Sequence, residues 1–152
     1  MTALHNLTPQ PIAFIGAGNM TQAIIKGMVA GGYPSDLIMA TNPSRQKLDD
    51  LTANTGIHIS QDNRAALAFA KVIVLAVKPQ MLERVCAELP NEQIASCSFI
   101  SIAAGVTVNR LQVMLRAPRP IVRTMPNTPS PTQVHQHLHG EFWVTVFDLR
   151  PF

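Results

Sequence analysis

The chain has 152 residues, of which 47% are hydrophobic and 14% are charged, and its formal net charge is +3. This length can bury one sizeable core but is too short for two ordinary domains, and the low charge argues against a disordered chain or a nucleic-acid-binding tail. The two cysteines lack the spacing of a zinc or redox motif. There is no signal-like N-terminus and no aliphatic run long enough to span a bilayer. We therefore expect a soluble, cytoplasmic protein without nucleic-acid or membrane partners.

Short aliphatic runs alternate with segments of helical period from Pro11 to about Met125, a pattern typical of parallel sheet covered by helices. The six predicted strands are IAFIG from Ile12, LIMAT from Leu37, GIHIS from Gly56, VIVLAV from Val72, SFISIAA from Ser98 and PIVRTM from Pro120. Right-handed crossovers then give the strand order 3-2-1-4-5-6. The predicted fold class is α/β, with a doubly wound, mainly parallel sheet in three layers, α/β/α.

Two of the intervening segments show clear helical faces. After the first strand, apolar or small residues recur at i, i+3, i+4, i+7 and i+8, which predicts one face against the sheet made of Met20, Ala23, Ile24, Gly27 and Met28. The pair Gly31 and Gly32 should end this helix. A later helix is predicted to pack through Val108, Leu111, Met114 and Leu115, with Thr107 as its N-cap.

A glycine-rich turn, IGAGNM, joins the first strand to the first helix. Gly16 would permit the tight turn, and Gly18 would remove the side chain that blocks a pyrophosphate bound on the N–H groups at the helix start. The third position of the pattern, usually glycine or alanine, is Thr21 here, a mild departure because the small residue Ala23 lies nearby. At the first strand-to-helix turn of a six-strand alternation, these features favour a Rossmann-type dinucleotide site over a purely structural turn.

The end of the second strand bears on the choice of cofactor. An acidic residue there would hold the ribose 2′-hydroxyl of NAD, but the sequence runs Ala40, Thr41, Asn42, Pro43, Ser44, Arg45 without a carboxylate. NADP(H) is therefore preferred, NAD(H) remains possible, and Ser44 and Arg45 are the expected phosphate contacts. The alternative for Arg45 is a solvated residue in the first turn of a helix.

Three further loops should leave the carboxyl ends of strands on the same side of the sheet, where ligands of this fold bind. They contain AVKPQ, AAG and MPNTP. Small residues at Ala76, Ala103 and Ala104 would let a cofactor pass closely. Lys78 either faces a ligand phosphate or offers only its backbone, and the sequence leaves both open.

The motifs IGAGNM, LAVKPQ, SIAAGVT and RTMPNTP, in this order and spacing, resemble the N-terminal, NADP-binding domain of pyrroline-5-carboxylate reductases over about Ile12 to Pro129. The resemblance implies cofactor contacts at Ile15, Gly16, Ala17, Gly18, Asn19, Met20, Thr41, Asn42, Ser44, Arg45, Asn63, Ala76, Val77, Lys78, Pro79, Ala103 and Ala104. It also implies that MPNTP lies beside the nicotinamide, where Asn127 is the only candidate catalytic residue and could orient the carboxamide or the substrate. A turn residue bonding its own backbone is the alternative for Asn127.

Members of the family that this chain resembles reduce the C=N bond of a small imino acid, 1-pyrroline-5-carboxylate, with NAD(P)H to give L-proline. In that family a helical dimerisation domain follows, and this chain stops before it. We therefore expect a dinucleotide-binding domain at 1–130, an atypical tail or edge strand at 131–152, and a truncated or frame-shifted product. Such a chain would bind cofactor but be inactive or weakly active, and exposed apolar surface makes self-association plausible. A non-catalytic NADP-binding module and a reductase of another imine or ketone are the alternatives.

The last part of the chain breaks the alternating pattern. His135, His137 and His139 would share one face of a strand, but no carboxylate or cysteine completes a ligand set, so no metal site is predicted. Residues 142–147, FWVTVF, form either an added edge strand or a poorly ordered apolar tail.

Overall fold

A computed structural model of the chain describes residues 8–116, 121–124 and 146–147. Its strands form one sheet in the order β3-β2-β1-β4-β5-β6-β7. Their bounds in chain order are Ile12–Ile15, Ile38–Thr41, His58–Ser60, Val72–Leu75, Ser98–Ser101, Ile121–Thr124 and Val146–Phe147, numbered β1 to β7. The first six strands pair in parallel. The predicted order 3-2-1-4-5-6 and the doubly wound, mainly parallel sheet are therefore confirmed.

The helices α1 to α6 connect these strands, with bounds Asn19–Ala30, Arg45–Thr55, Asn63–Phe69, Leu82–Glu88, Asn91–Ile94 and Val108–Met114. Short 3₁₀ turns precede β2 and α4, at Ser35–Leu37 and Pro79–Met81. Side-chain oxygens of Ser44, Asp62 and Thr107 accept backbone N–H groups at the starts of α2, α3 and α6. These caps satisfy donors that a helix start leaves without partners. The predicted cap at Thr107 is confirmed.

The core lies on both faces of the sheet, as the three-layer prediction requires. Alternate residues of β1 and β4 separate onto the two faces because successive side chains of a strand point in opposite directions. One cluster joins the sheet to α3, α4, α5 and α6 and includes Ile15, Ile73, Leu75, Leu82, Phe99 and Leu111. The other joins the sheet to α1 and α2 and includes Phe14, Ile25, Leu48, Leu51 and Val74.

The buried face of α1 differs from the prediction by about one residue. Thr21 and Ile25 are the buried residues, while Ala23, expected against the sheet, is exposed. Ile24 and Met28 are half-buried at the edge of the packed face. The predicted helical periodicity is confirmed. The position of the centre of the buried face was not, because small and apolar residues are mixed around α1 and several neighbouring faces look alike. Gly31 ends the helix as predicted.

The strands are shorter than the aliphatic runs that predicted them. Gly56 adopts a left-handed conformation with φ of 74° and terminates α2, so β3 begins only at His58. Ala76 and Val77, counted in the fourth strand, belong to the loop that leaves β4. Val146–Phe147 pairs antiparallel with β6 at the sheet edge, so this part of the 142–147 segment is an edge strand. His135, His137 and His139 lie outside the described residues, and the domain boundary near residue 130 stays a prediction.

Candidate dinucleotide-binding site

The segment that leads from β1 into the first residues of α1, residues 16–20, is held in place by hydrogen bonds at both neighbouring strand ends. Gly16 N–H donates to the carbonyl of Thr41 at 2.9 Å, and Ala76 N–H donates to the carbonyl of Ile15 at 2.9 Å. Ala17 N–H donates to Asn42 Oδ1 at 3.3 Å. We call residues 16–20 the glycine turn. Its backbone path is fixed by the loops that follow β2 and β4.

Gly16 is required by the fold itself. Its φ is +108°, and a Cβ at this position would lie 2.7 Å from the carbonyl oxygen of Ala76. Both features forbid other residues, because L side chains rarely adopt this φ and the obstructing atom is backbone. The predicted role of Gly16 in the tight turn is therefore supported by its conformation.

Gly18 has no such reason to be glycine within the described protein. It is the N-cap of α1 with φ of −74° and ψ of −177°, which any residue adopts, and a Cβ there would meet nothing within 4 Å. The space that a side chain would fill lies directly before the start of a 12-residue helix. Because the first N–H groups of a helix lack intrahelical acceptors and carry partial positive charge, this space suits an anionic group.

Thr21 occupies the tight helix-to-sheet contact next to the glycine turn. It is 1% exposed, and its Oγ1 makes no hydrogen bond. Because threonine stands here instead of glycine or alanine, an unsatisfied hydroxyl lies in the core. Ala23 does not make this departure milder, since its side chain is exposed and does not take part in the contact. Gln22 was missed by the sequence interpretation: its Nε2 donates to the carbonyl of Ala17 at 2.9 Å and braces the turn from the helix. No local sequence signal marks that contact.

The loop after β2 carries the predicted phosphate contacts. Ser44 caps α2 by accepting the N–H of Lys47 at 3.5 Å. Arg45 is the first residue of α2, and its Nε lies 2.9 Å from Asp49 Oδ1, with both side chains more than half exposed. The sequence prediction considered only the residues up to Arg45, so it did not include this carboxylate one helical turn away.

The start of α3 is joined to the end of β2. Thr41, which is fully buried, donates from Oγ1 to Asn63 Oδ1 at 2.7 Å. Asp62 caps α3 and makes an ion pair with Arg64, and the hydrogen bonds from the Arg64 guanidinium hold the pKa of this carboxyl below its usual value. Asn63 was predicted from the resemblance, whereas Asp62 and Arg64 were not; the Asp-Asn pair before an apolar run was an available capping signal.

The loops after β4 and β5 reach the same edge of the sheet. Ala76 and Val77 are half-buried, and Lys78 and Pro79 are exposed. Ala103 is 5% exposed and Ala104 is exposed. The hydroxyl of buried Ser101 accepts the N–H of Ala103 at 3.3 Å and fixes the turn out of β5. Because the carboxyl ends of parallel strands share one edge, the described candidates meet there. Asn127 lies outside the described residues.

Within the described ranges, no group of three or more His, Cys, Asp or Glu side chains could hold a metal ion. Nor does the described part of the chain contain a helix that is long and apolar enough to cross a membrane.

Comparison with known proteins relates this site to an oxidoreductase family. Residues 11–105 match the family model described as NADP oxidoreductase, coenzyme F420-dependent. This match covers more than half of the chain and includes the glycine turn and the loops after β2, β4 and β5. The chain belongs to this NADP oxidoreductase family.

Proteins similar to this chain include a pyrroline-5-carboxylate reductase of Vibrio alginolyticus, 49% identical over 119 residues, which are 78% of this chain and 44% of the relative. A solved pyrroline-5-carboxylate reductase from Coxiella burnetii is 42% identical with a TM-score of 0.76 over 80% of this chain and 46% of that one. A Plasmodium falciparum pyrroline carboxylate reductase, solved with NADP bound, is 26% identical with a TM-score of 0.68 over 79% of this chain and 43% of that one. The chain thus spans less than half the length of these relatives.

Proposed function

We propose that this chain binds NADP(H) at the carboxyl edge of its sheet, with the pyrophosphate against the glycine turn. The observation that carries the proposal is Gly18, a glycine that neither backbone conformation nor packing requires, placed before the start of α1. A ligand that occupies the open space explains why no side chain is present. The similarity to a protein solved with NADP bound supports the same assignment.

The remaining predicted contacts distribute along this edge in the proposed complex. The backbone of residues 15–20 lines the pyrophosphate path, since the side chains of Ile15 and Ala17 are buried. The 2′-phosphate lies near Ser44 and Arg45, with Asn63 forming the adjoining wall and buried Thr41 holding Asn63 in place by its hydrogen bond. The loops at 76–79 and 103–104 border the nicotinamide side, and Asn127 is proposed to face the carboxamide or substrate.

We further propose that the enzyme activity associated with this chain is reduction of 1-pyrroline-5-carboxylate to L-proline, a step of proline biosynthesis. NAD(P)H supplies the hydride for such a reduction when it is bound. This chain would hold and orient the cofactor. The similarity to reductases of this name, at 42–49% identity in three bacterial relatives, supports this substrate over another imine or ketone.

The chain by itself is proposed to bind cofactor and to turn over little or no substrate, because it spans less than half the length of the reductases it resembles. The test is NADPH oxidation by the purified chain with pyrroline-5-carboxylate, with a full-length member of the family as the positive control. Turnover comparable to that control would contradict the proposed behaviour of a binding module.

Cofactor preference is tested by calorimetric titration of the purified chain with NADP and with NAD. We expect tighter binding of NADP because the loop after β2 offers hydroxyl, amide and guanidinium donors. Tighter binding of NAD would contradict the assignment of Ser44 and Arg45. Self-association and a cytoplasmic location stay predictions, and sedimentation of the chain across a concentration series tests the first.

A further inference from the structure

A second arginine lies at the cleft between the ends of β2 and β3. The described residues that line this cleft are Pro43, Gln61, Asp62, Asn63, Arg64 and Glu88. Its two loops are tied together at three points: Asn42 N–H donates to the Ser60 carbonyl at 3.2 Å, Gln61 Nε2 to the Pro43 carbonyl at 2.8 Å, and Thr41 Oγ1 to Asn63 Oδ1 at 2.7 Å. The wall that carries Arg64 is therefore fixed against the loop that carries Ser44 and Arg45.

Arg64 is held at this cleft by its neighbour Asp62. Its Nε lies 3.1 and 3.2 Å from the two carboxylate oxygens, and its Nη2 lies 3.0 Å from Oδ2. The two side chains are 65% and 50% exposed. Asp62 is also anchored as the cap of α3, because its Oδ1 accepts the N–H of Arg64 at 3.0 Å. The carboxylate is thus restrained, whereas the longer guanidinium side chain has room to turn.

The described charged side chains at this cleft are paired, including Glu88, whose Oε1 lies 3.6 Å from Arg84 Nε. Arg45 is paired with Asp49, and Arg64 is paired with Asp62. Solvent-exposed pairs of this kind are weak. An arginine that bonds a phosphate makes charge-assisted hydrogen bonds to a group with more negative charge than a carboxylate. A phosphate that enters this cleft should therefore compete successfully with Asp62 for Arg64.

We propose that Arg64 is a further specificity-determining residue, which turns from Asp62 to the 2′-phosphate of NADP(H) when the cofactor binds. The proposal rests on the proposed cofactor site. In this arrangement Asp62 has an opposing effect, since its negative charge both retains the guanidinium and repels the phosphate. The two neighbours should therefore alter the preference for NADP over NAD in opposite directions.

The test is calorimetric titration of the full chain and its variants with NADP and with NAD. Arg64→Gln should raise the Kd for NADP by about fivefold to tenfold while the Kd for NAD changes little. Asp62→Asn should lower the Kd for NADP by about twofold to fivefold, because asparagine remains a good N-cap but lacks the charge. Equal effects of Arg64→Gln on both cofactors, or no effect on either, would overturn the proposal.

The double variant D62N/R64Q separates direct contact from charge balance. If Arg64 contacts the phosphate, the double variant should bind NADP at least about fivefold more weakly than D62N alone. If Arg64 only neutralises Asp62, the two variants should bind NADP equally, which would refute the direct contact.

Lys71→Gln provides the matched control. It removes the same charge beside the amino end of β4, where Lys71 bonds Ser96 at 3.2 Å, and should leave both Kd values unchanged. Melting temperatures report whether each variant is folded. A wild-type chain that binds neither cofactor contradicts the proposed function itself, and this inference fails with it. A wild-type chain that binds NADP, with Arg64 variants that show no loss selective for NADP, contradicts this inference alone.

Discussion

The glycine turn and the cleft between β2 and β3 lie at the same edge of the sheet but are built differently. The turn is made of backbone: its position depends on hydrogen bonds from Gly16 and Ala17 and on the absence of a side chain at Gly16, while Gly18 leaves open space before α1. The cleft is lined by side chains, among them Arg64 paired to Asp62, and the adjoining start of α2 carries the pair of Arg45 and Asp49. The first region can recognise what all dinucleotides share, and the second can distinguish one dinucleotide from another.

This difference separates the expected effects of mutation. Changes in the glycine turn should affect folding or the binding of both cofactors, because the pyrophosphate is common to NADP and NAD. Changes in the cleft should affect mainly NADP, because only NADP carries the 2′-phosphate. A glycine-turn variant that weakens only NADP binding, or a cleft variant that weakens the binding of both cofactors equally, would contradict the roles assigned to the two regions.

The largest effect on stability is expected from Gly16→Ala. The added Cβ would lie 2.7 Å from the carbonyl oxygen of Ala76 at a φ of +108°, so strain and overlap act together. We expect the free energy of unfolding to fall by roughly 3 kcal/mol or more. Chemical denaturation of both proteins measures this, and a loss below about 1 kcal/mol would show that the turn tolerates a side chain.

A smaller effect, confined to NADP, is expected from Arg45→Gln. Loss of the guanidinium should raise the Kd for NADP by about fivefold and leave the Kd for NAD unchanged. Lys47→Gln is the matched control, since Lys47 is an exposed cation two residues further along α2. If both variants lose NADP affinity equally, the effect is one of general charge. Arg45 would then be the solvated residue of the first helical turn, which was the alternative interpretation.

The smallest effect on stability is expected from Thr21→Val, which keeps the side-chain shape but removes a buried hydroxyl that has no partner. The free energy of unfolding should rise by about 1 kcal/mol, because an unsatisfied buried polar group is costly. Thr55→Val is the control: this buried hydroxyl donates to the Leu51 carbonyl, so its removal should give no such gain. A destabilised Thr21→Val variant would show that the hydroxyl is satisfied in solution.

The two regions also differ in how far the sequence predicts them. The strand order and the glycine turn follow from aliphatic periodicity and from residues with special backbone properties, whereas Asn63 at the start of α3 was predicted from the family resemblance. The contacts of Asn42, Gln22 and Arg64 could not be predicted from the sequence, because their hydrogen-bond partners come within reach only in the folded chain. The exposed position of Ala23 has a related cause, since the centre of a helical face depends on the packing of the whole layer.

The central claim is that the glycine turn binds the pyrophosphate of the cofactor. It is tested most directly by titrating wild-type, Gly18→Ala and Gly31→Ala chains with NADP. Gly18 and Gly31 flank the same helix, and both have negative φ. Alanine is a poorer N-cap than glycine but restricts the unfolded chain, so the stability of Gly18→Ala should change little. The account predicts that Gly18→Ala weakens NADP binding by at least about tenfold while Gly31→Ala binds as the wild type does. Unchanged binding by a folded Gly18→Ala chain would contradict it.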